Sequence, residues 1–414
     1  MRRFVASIAV VALSASACSV APQSTQQTAF GSALPTTGVP ATSSPNPPAP
    51  TSTLVPVVAM PGSLDIGPQG AIVFYRTDDT REVDTQFIVN PDGTNERELQ
   101  PALGAAVWSP DGRLVAFSWG DWNSGKTRAA VMQADGSSFR VLDPNPDLAI
   151  RFAPAAWSAN GKQLLLMTAG KDVTPVKDVG AWSVGVAGGD LHHLLGASEG
   201  AEVGEMFIPS PDGTKALHNR ITMRKDIYDL NILSIESIDG RHDDRISSAD
   251  PDLSVVDLEF YDGTSEAWSP DSTQIVFCMV NVLNGASAMY TARSDGGGVE
   301  QLVPTSVGAV SARFSPDARQ IAFTAERGPD DQIWVMDRDG THRRQLTFGD
   351  DHSVSLLPLW SRDGRSLVFQ RRMHAHGQIT LWRVDVDGTN LIQLSPTPLA
   401  KEWVGGYAWW PAPG

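Results

Sequence analysis

Residues 314–347 read FSPDARQIAFTAERGPDDQIWVMDRDGTHRRQLT, and this stretch decides the fold. An aromatic, Phe314, precedes Ser315-Pro316-Asp317-Ala318. Pro fixes φ and Asp bonds its own backbone, so these residues reverse the chain tightly. A β-rich run, Ile321-Ala322-Phe323, follows. Next, Ile333 and Val335 alternate with Trp334 and Met336. That period of two gives a strand with two distinct faces. Asp339-Gly340 supplies the positive φ of a second hairpin, and Gln345-Leu346-Thr347 closes the unit as a short strand.

The unit recurs. The first turn appears as Trp108-Ser109-Pro110-Asp111-Gly112, Trp157-Ser158-Ala159-Asn160-Gly161 and Pro209-Ser210-Pro211-Asp212-Gly213. It returns as Trp268-Ser269-Pro270-Asp271-Ser272 and Trp360-Ser361-Arg362-Asp363-Gly364, with a worn first copy at Ile66-Gly67-Pro68-Gln69-Gly70. The second turn is marked by Gly93, Gly136, Gly188, Gly240, Gly296, Gly340 and Gly388, each 22 to 27 residues after the first. Each unit therefore makes four short antiparallel strands over about 49 residues, the length of a propeller blade. The sequence predicts an all-β, seven-bladed β-propeller of four-stranded antiparallel blades over residues 63–412, with six blades as the alternative. Ile66, Trp108, Trp157, Ile208, Trp268, Phe314 and Trp360 are assigned to the slot before the first turn. Trp409 makes an eighth such slot with no hairpin after it, so residues 405–410 are expected to return as the innermost strand of blade 1.

The recurring pattern resembles the TolB-type, WD-like β-propeller repeat, and residues 314–347 lie near that family's consensus. The resemblance covers most of the chain and implies the fold. TolB itself carries an α/β domain ahead of its propeller. This chain instead has residues 19–64, which hold nine prolines among Ser, Thr, Ala and Gln and carry no charge before Asp65. Such a segment buries too little to offset its ordering entropy and reads as a disordered tether, residues 18–62, spanning about 35–40 Å.

Arg2 and Arg3 precede an apolar stretch, residues 4–17, too short to span a bilayer but suited to a signal peptide, residues 1–17. It ends Ala15-Ser16-Ala17-Cys18, which resembles a bacterial lipobox with Ala15 where that family has Leu. The resemblance implies lipid attachment at Cys18, so the protein is expected at the outer face of the cell membrane or at the outer membrane. Ala15-Ser16-Ala17 also reads as an ordinary cleavage site, and a secreted protein is the alternative.

Lys and Arg number 32 against 47 Asp and Glu, for a net charge of −15, which argues against nucleic acid as partner. With only Cys18 and Cys278, a disulfide framework and a multi-cysteine zinc site are excluded, and Cys278 reads as a core residue. Gly120-Asp121-Trp122-Asn123-Ser124-Gly125-Lys126-Thr127 spells a phosphate-binding loop, but the repeat places it between two strands, without the helix the chemistry needs. Gly196-Ala197-Ser198-Glu199-Gly200 spells a nucleophile elbow, but it falls in a link between blades and lacks a hydrolase domain. His192-His193 would point to opposite faces of a strand. His374 and His376, at alternate spacing, are candidate metal ligands, with a solvated loop as the bland alternative. Asp337, Asp339, Asp385 and Asp387 have calcium-loop spacing but lack the later ligands.

A binding surface remains. The loops between second and third strands and the links between blades emerge on one face. They carry Asp78, Asp79, Asp121, Trp122, Asp330, Asp331, Asp350, Asp351 and His352, and blade 4 adds the acidic link of residues 242–266. Acid with scattered aromatics suits a cationic or sugar-like partner, although acidic loops also serve solubility. The expectation is a monomeric, non-catalytic binding module without cofactor, recognising an envelope protein or glycan. The alternative is a propeller lyase or hydrolase with a metal-assisted central site.

Overall fold

Ser-Pro-Asp turns and Asp-Gly turns cut the chain into strands of near-constant length, and those strands form seven four-stranded antiparallel sheets. The structure, a computed structural model, describes residues 70–410 except 79–82, 102, 122–125, 134–135, 143–151, 159, 169–179, 190, 197–204, 225–226, 238–242, 247–254, 258–266, 281–285, 327–330, 350–352, 373–378 and 396–406. The segments expected to be signal peptide and tether, residues 1–62, lie outside the described residues. Among the described residues every named element is a strand. Blade 6 shows the plan, with Ala309–Phe314 innermost, then Gln320–Glu326, Asp331–Asp337 and the outer Arg344–Gln345. Blades 2, 3, 4, 5 and 7 repeat it in chain order.

Blade 1 is built from both ends of the chain. Its innermost strand is Tyr407–Trp410, which pairs antiparallel with Ala71–Asp78. The register is Ile72 with Trp409, matching Trp108 with Val115, Trp157 with Leu164, Phe314 with Ile321 and Trp360 with Leu367. Trp409 thus takes the blade 1 slot that the sequence assigned to Ile66, which lies outside the described residues. Blade 4 needs a further correction. Its slot is filled by Pro209, opposite Ala216, and Ile208 sits one position earlier. Blade 5 also differs. Its inner strand, Val255–Asp257, comes from the long link, and Trp268 contributes one isolated bridge to Ile275.

The first turn owes its geometry to its serine and aspartate. In blade 2 the Ser109 hydroxyl donates to Asp111 Oδ1 at 2.7 Å and accepts from the Leu114 amide at 2.9 Å. Asp111 Oδ1 also accepts from the Arg113 amide at 3.1 Å. The same clasp closes on Asn160, Asp212, Asp271, Asp317 and Asp363 in the later blades. Ser109, Ser210, Ser269, Ser315 and Ser361 are buried, so each of these hydroxyls needs such partners.

On the second strand, two residues past the one that faces the slot, five of the seven blades carry a phenylalanine. Phe74, Phe117, Phe277, Phe323 and Phe369 are fully buried at this position. Each packs toward the preceding blade. Phe117 clusters with Ala71 and Val73, Phe323 with Val276 and Cys278, and Phe369 with Ala322 and Val335. Phe74 clusters with Val368 and Leu381 of blade 7, so the ring closes through the same contact. Slot tryptophans reinforce it. The indoles of Trp157, Trp268 and Trp360 donate to the carbonyls of Val107, Ile208 and Arg313 on the preceding inner strand, at 3.0, 3.0 and 3.1 Å. At the closing seam, a Cβ added at Gly93 (φ +81°) would stand 3.2 Å from the Gln393 carbonyl.

These turns and the closing strand pairing set three expectations for stability. Ala318 holds φ +58° where the other turns mostly have glycine. The left-handed conformation costs a non-glycine residue about 1–2 kcal/mol, against about 0.5–1 for glycine's freedom in the unfolded chain. Ala318→Gly should raise stability by about 0.5–1 kcal/mol in denaturant titration. Ser272→Gly should gain nothing, because Ser272 Oγ accepts from the Asp212 amide of blade 4 at 3.1 Å. Deleting residues 403–414 removes the closing strand from a domain whose total stability is about 5–15 kcal/mol. The truncated protein should melt far below the parent. A melting point within a few degrees of it would refute closure through this strand.

Candidate binding face

The two ends of each blade differ in chemistry. First and second turns both lie at one end of the blades, the lower face. Loops between second and third strands, and links between blades, lie at the other, the upper face.

Of the upper-face residues that the sequence proposed, Asp79, Trp122, Asp330, Asp350, Asp351 and His352 lie outside the described residues, as do the candidate metal ligands His374 and His376. Asp121 ends the second strand of blade 2, in register with Lys126, and Asp78 ends that of blade 1, in register with Val83. Asp331 starts the third strand of blade 6, in register with Glu326, and is only 7% exposed. The structure therefore places Asp331 inside the blade rim.

What the structure does build is the frame of the link that carries Asp350, Asp351 and His352. Thr347, buried at the end of blade 6, accepts from the Ile333 amide at 2.9 Å and donates to Gln332 Oε1 at 2.8 Å. Gln332 Nε2 donates across the link to the Ser353 carbonyl at 2.7 Å. Arg371 of blade 7 donates to Ser353 Oγ at 2.9 Å and to the Phe348 carbonyl at 3.2 Å, and its guanidinium lies 5.1 Å from the Trp382 ring centre. Both ends of the link are thus pinned to two blades. Between them Phe348 stands 57% exposed, one of two large exposed hydrophobics among the described residues. Sequence reasoning missed Phe348, Gln332 and Arg371. One available signal is that Arg371 follows Phe369 by two residues, as Arg76 follows Phe74 in blade 1. Arg76 bonds Glu96 at 2.7 Å and Ser395, at the end of blade 7, at 2.5 Å.

The described residues of the catalytic strings lie in strands. Lys126 and Thr127 open a strand, and the Thr127 hydroxyl donates to the Phe152 carbonyl of blade 3 at 3.1 Å. Gly196 ends the outer strand of blade 3, and His193 stacks on Trp182 with ring centres 4.3 Å apart. Asp339 and Asp387 cap Thr341 and Thr389, while Asp337 and Asp385 bond His342 and Asn390 across their turns. Cys278 is buried in blade 5. Among the described residues no three His, Cys, Asp or Glu side chains converge on a metal-sized site.

The comparisons agree with this geometry. The chain is a β-propeller, and its residues 254–402 match the family model of the TolB beta propeller domain, PD40. A Tol-Pal system protein TolB from Anaeromyxobacter dehalogenans is 33% identical over 96 residues, 23% of this chain and 21% of that protein. The chain spans 21% to 36% of the lengths of the curated relatives it matches first. The β-propeller domain of the Trilobed protease from Pyrococcus furiosus superposes with a TM-score of 0.55 at 15% identity, over 80% of this chain and 96% of that one. An oligogalacturonate lyase from Vibrio parahaemolyticus gives 0.53 at 13% identity, over 79% and 86%. At these identities the structures share the fold alone. The protease propeller is described as having an open velcro topology, whereas here the C-terminal strand completes blade 1.

The lower face has a pH signature. Partial burial pushes the Asp271 carboxyl up. The Ser269 and Thr273 hydroxyls, the Thr273 amide and Arg338 outweigh it and hold the pKa at about 2. Asp111 is lowered first by the Ser109 hydroxyl. Asp212 and Asp317 are raised by burial but lowered overall by the same clasp. A carboxyl whose folded pKa is depressed stabilises the fold above its unfolded pKa of about 4, and that stability is lost as pH falls toward 2. Melting temperature should therefore drop steeply between about pH 4 and pH 2. Asp271→Asn should make the drop shallower, because blade 3 already runs its clasp on Asn160. An unchanged pH profile in that variant would count against the clasp.

Proposed function

We propose that this protein is a binding module of the cell envelope, exported and held by a lipid at Cys18. Its propeller presents the upper face to a protein or glycan. One observation carries the reading: Phe348 stands open to solvent on a link whose ends are fixed by Gln332, Arg371 and Ser353. A rigidly framed exposed aromatic is the kind of residue that anchors an interface at low entropic cost. Asp350, Asp351 and His352 follow it in sequence, so a partner with cationic or hydroxyl-rich groups fits best. The sequence assigns Asp121, Trp122 and Asp330 to the same face. The match to a TolB of the Tol-Pal system supports an envelope setting. The alternative, a metal-assisted lyase using His374 and His376, is supported by the fold shared with oligogalacturonate lyase.

Immobilised propeller should capture a partner from envelope extracts, and Phe348→Ala should weaken capture at least tenfold, the loss expected of a hot-spot aromatic worth about 2 kcal/mol. Cys18→Ala should move the protein from the membrane fraction to the soluble one. One equivalent of metal that disappears in a His374→Ala/His376→Ala variant, with capture unaffected by Phe348→Ala, would overturn the binding reading.

A further inference from the structure

At its upper end blade 7 holds a cleft lined by Leu356, Leu357, Gln370, Arg372 and Ile379. Its inner strand, Val354–Trp360, bulges between Leu356 and Leu359, and Leu357 takes φ +60° there. The second strand, Ser366–Arg372, runs alongside with Gln370 opposite Leu356 and Arg372 opposite Val354. Two residues apart on a strand, Gln370 and Arg372 leave by the same face. Leu357 and Ile379 are buried and give the cleft an aliphatic wall.

Two polar atoms in this wall have no partner. Gln370 is 3% exposed, and its Nε2 has no hydrogen-bonding partner among the described residues. Arg372 Nε is likewise buried and unpartnered among them. Neighbouring Arg371 is fully engaged by Ser353 and the Phe348 carbonyl, so the two arginines are not equivalent. The chain has 47 acidic residues, yet Arg372 pairs with none among the described residues.

The chemistry of a complement follows. Both orphaned atoms are donors, so the missing group is an acceptor. One donor belongs to a guanidinium, so an anionic acceptor is favoured, and a planar carboxylate matches it best. The enclosed part of the cleft is no larger than a water molecule, so only the head of a ligand enters. The aliphatic wall suits a short alkyl group directly behind that head. We infer that Gln370 and Arg372 form a seat for the carboxylate of a small aliphatic acid or of a polypeptide C-terminus. Gln370 Nε2 and Arg372 Nε donate to its oxygens, and the alkyl group lies on Leu356, Leu357 and Ile379.

The test uses the full-length protein with labelled Leu and Ile methyl groups, followed by NMR. Sodium butyrate should give saturable shifts at Leu356, Leu357 and Ile379 at concentrations up to about 50 mM, in the weak range expected of so small a ligand. Acetyl-Ala-Leu with a free carboxylate should shift the same methyls, and its C-terminal amide should not. Tenfold tighter binding of the peptide than of butyrate would identify a polypeptide C-terminus as the source, and the reverse a free acid. Gln370→Met and Arg372→Met conserve bulk and should each weaken binding at least tenfold while the melting temperature stays within a few degrees. Where one variant misfolds, the other and the acid-against-amide comparison still decide. No saturable shift, equal shifts with the amide or with inorganic phosphate, or unchanged binding in a folded variant would each overturn the proposal.

Discussion

Four residue pairs between the two ends of the chain hold the ring shut. Ala71, Ile72, Val73 and Phe74 pair with Trp410, Trp409, Ala408 and Tyr407. In a ring where each blade packs on its predecessor, an unclosed structure would leave two apolar blade faces bare. With the ladder in place, Phe74 reaches Val368 and Leu381 and the seventh seam becomes like the others. Hydrophobic burial works here only because local pairing first brings distant residues together.

Much of this was legible in the sequence, for a simple reason. Turn residues act locally, so Ser-Pro-Asp and Asp-Gly announce themselves wherever they occur. Repetition then turned weak local signals into a strong global one. The return of the last strand was legible too, because Trp409 repeats the slot of Trp108 without the hairpin that should follow. The misreading of Ile208 shows the limit. Ile208 looks like a better occupant than Pro209, and only backbone register against Ala216 settles which of them faces the turn. Phe348, Arg371 and Gln370 were invisible for a different reason. Their roles depend on which side chains of neighbouring strands and blades come within hydrogen-bonding reach, and no spacing within one blade encodes that.

Blade 4 departs from the others at the position where most blades carry Phe. His218 occupies it, 1% exposed, with its Nδ1 hydrogen-bonded to Glu236 Oε1. Its neighbour two residues back, Ala216, packs on Ala181 and Leu195 of blade 3. A polar pair in a buried seam stabilises less than a well-packed phenyl ring would, because both groups lose water. It does impose direction, since a hydrogen bond tolerates less sliding than an apolar contact.

The tryptophans that bond backward give the ring an order in time. Trp157, Trp268 and Trp360 each reach a carbonyl in the blade made just before their own. A chain leaving the ribosome from its N-terminus therefore presents each new blade to a neighbour that already exists. Blade 1 alone must wait. Its strand of residues 71–78 keeps an unpaired edge until residues 407–410, made after the six other blades, arrive to cover it. Until then the chain carries an open β-edge of the kind that recruits other strands. The interval between the first blade and the last four-residue strand is thus the period in which this protein is most exposed to aggregation.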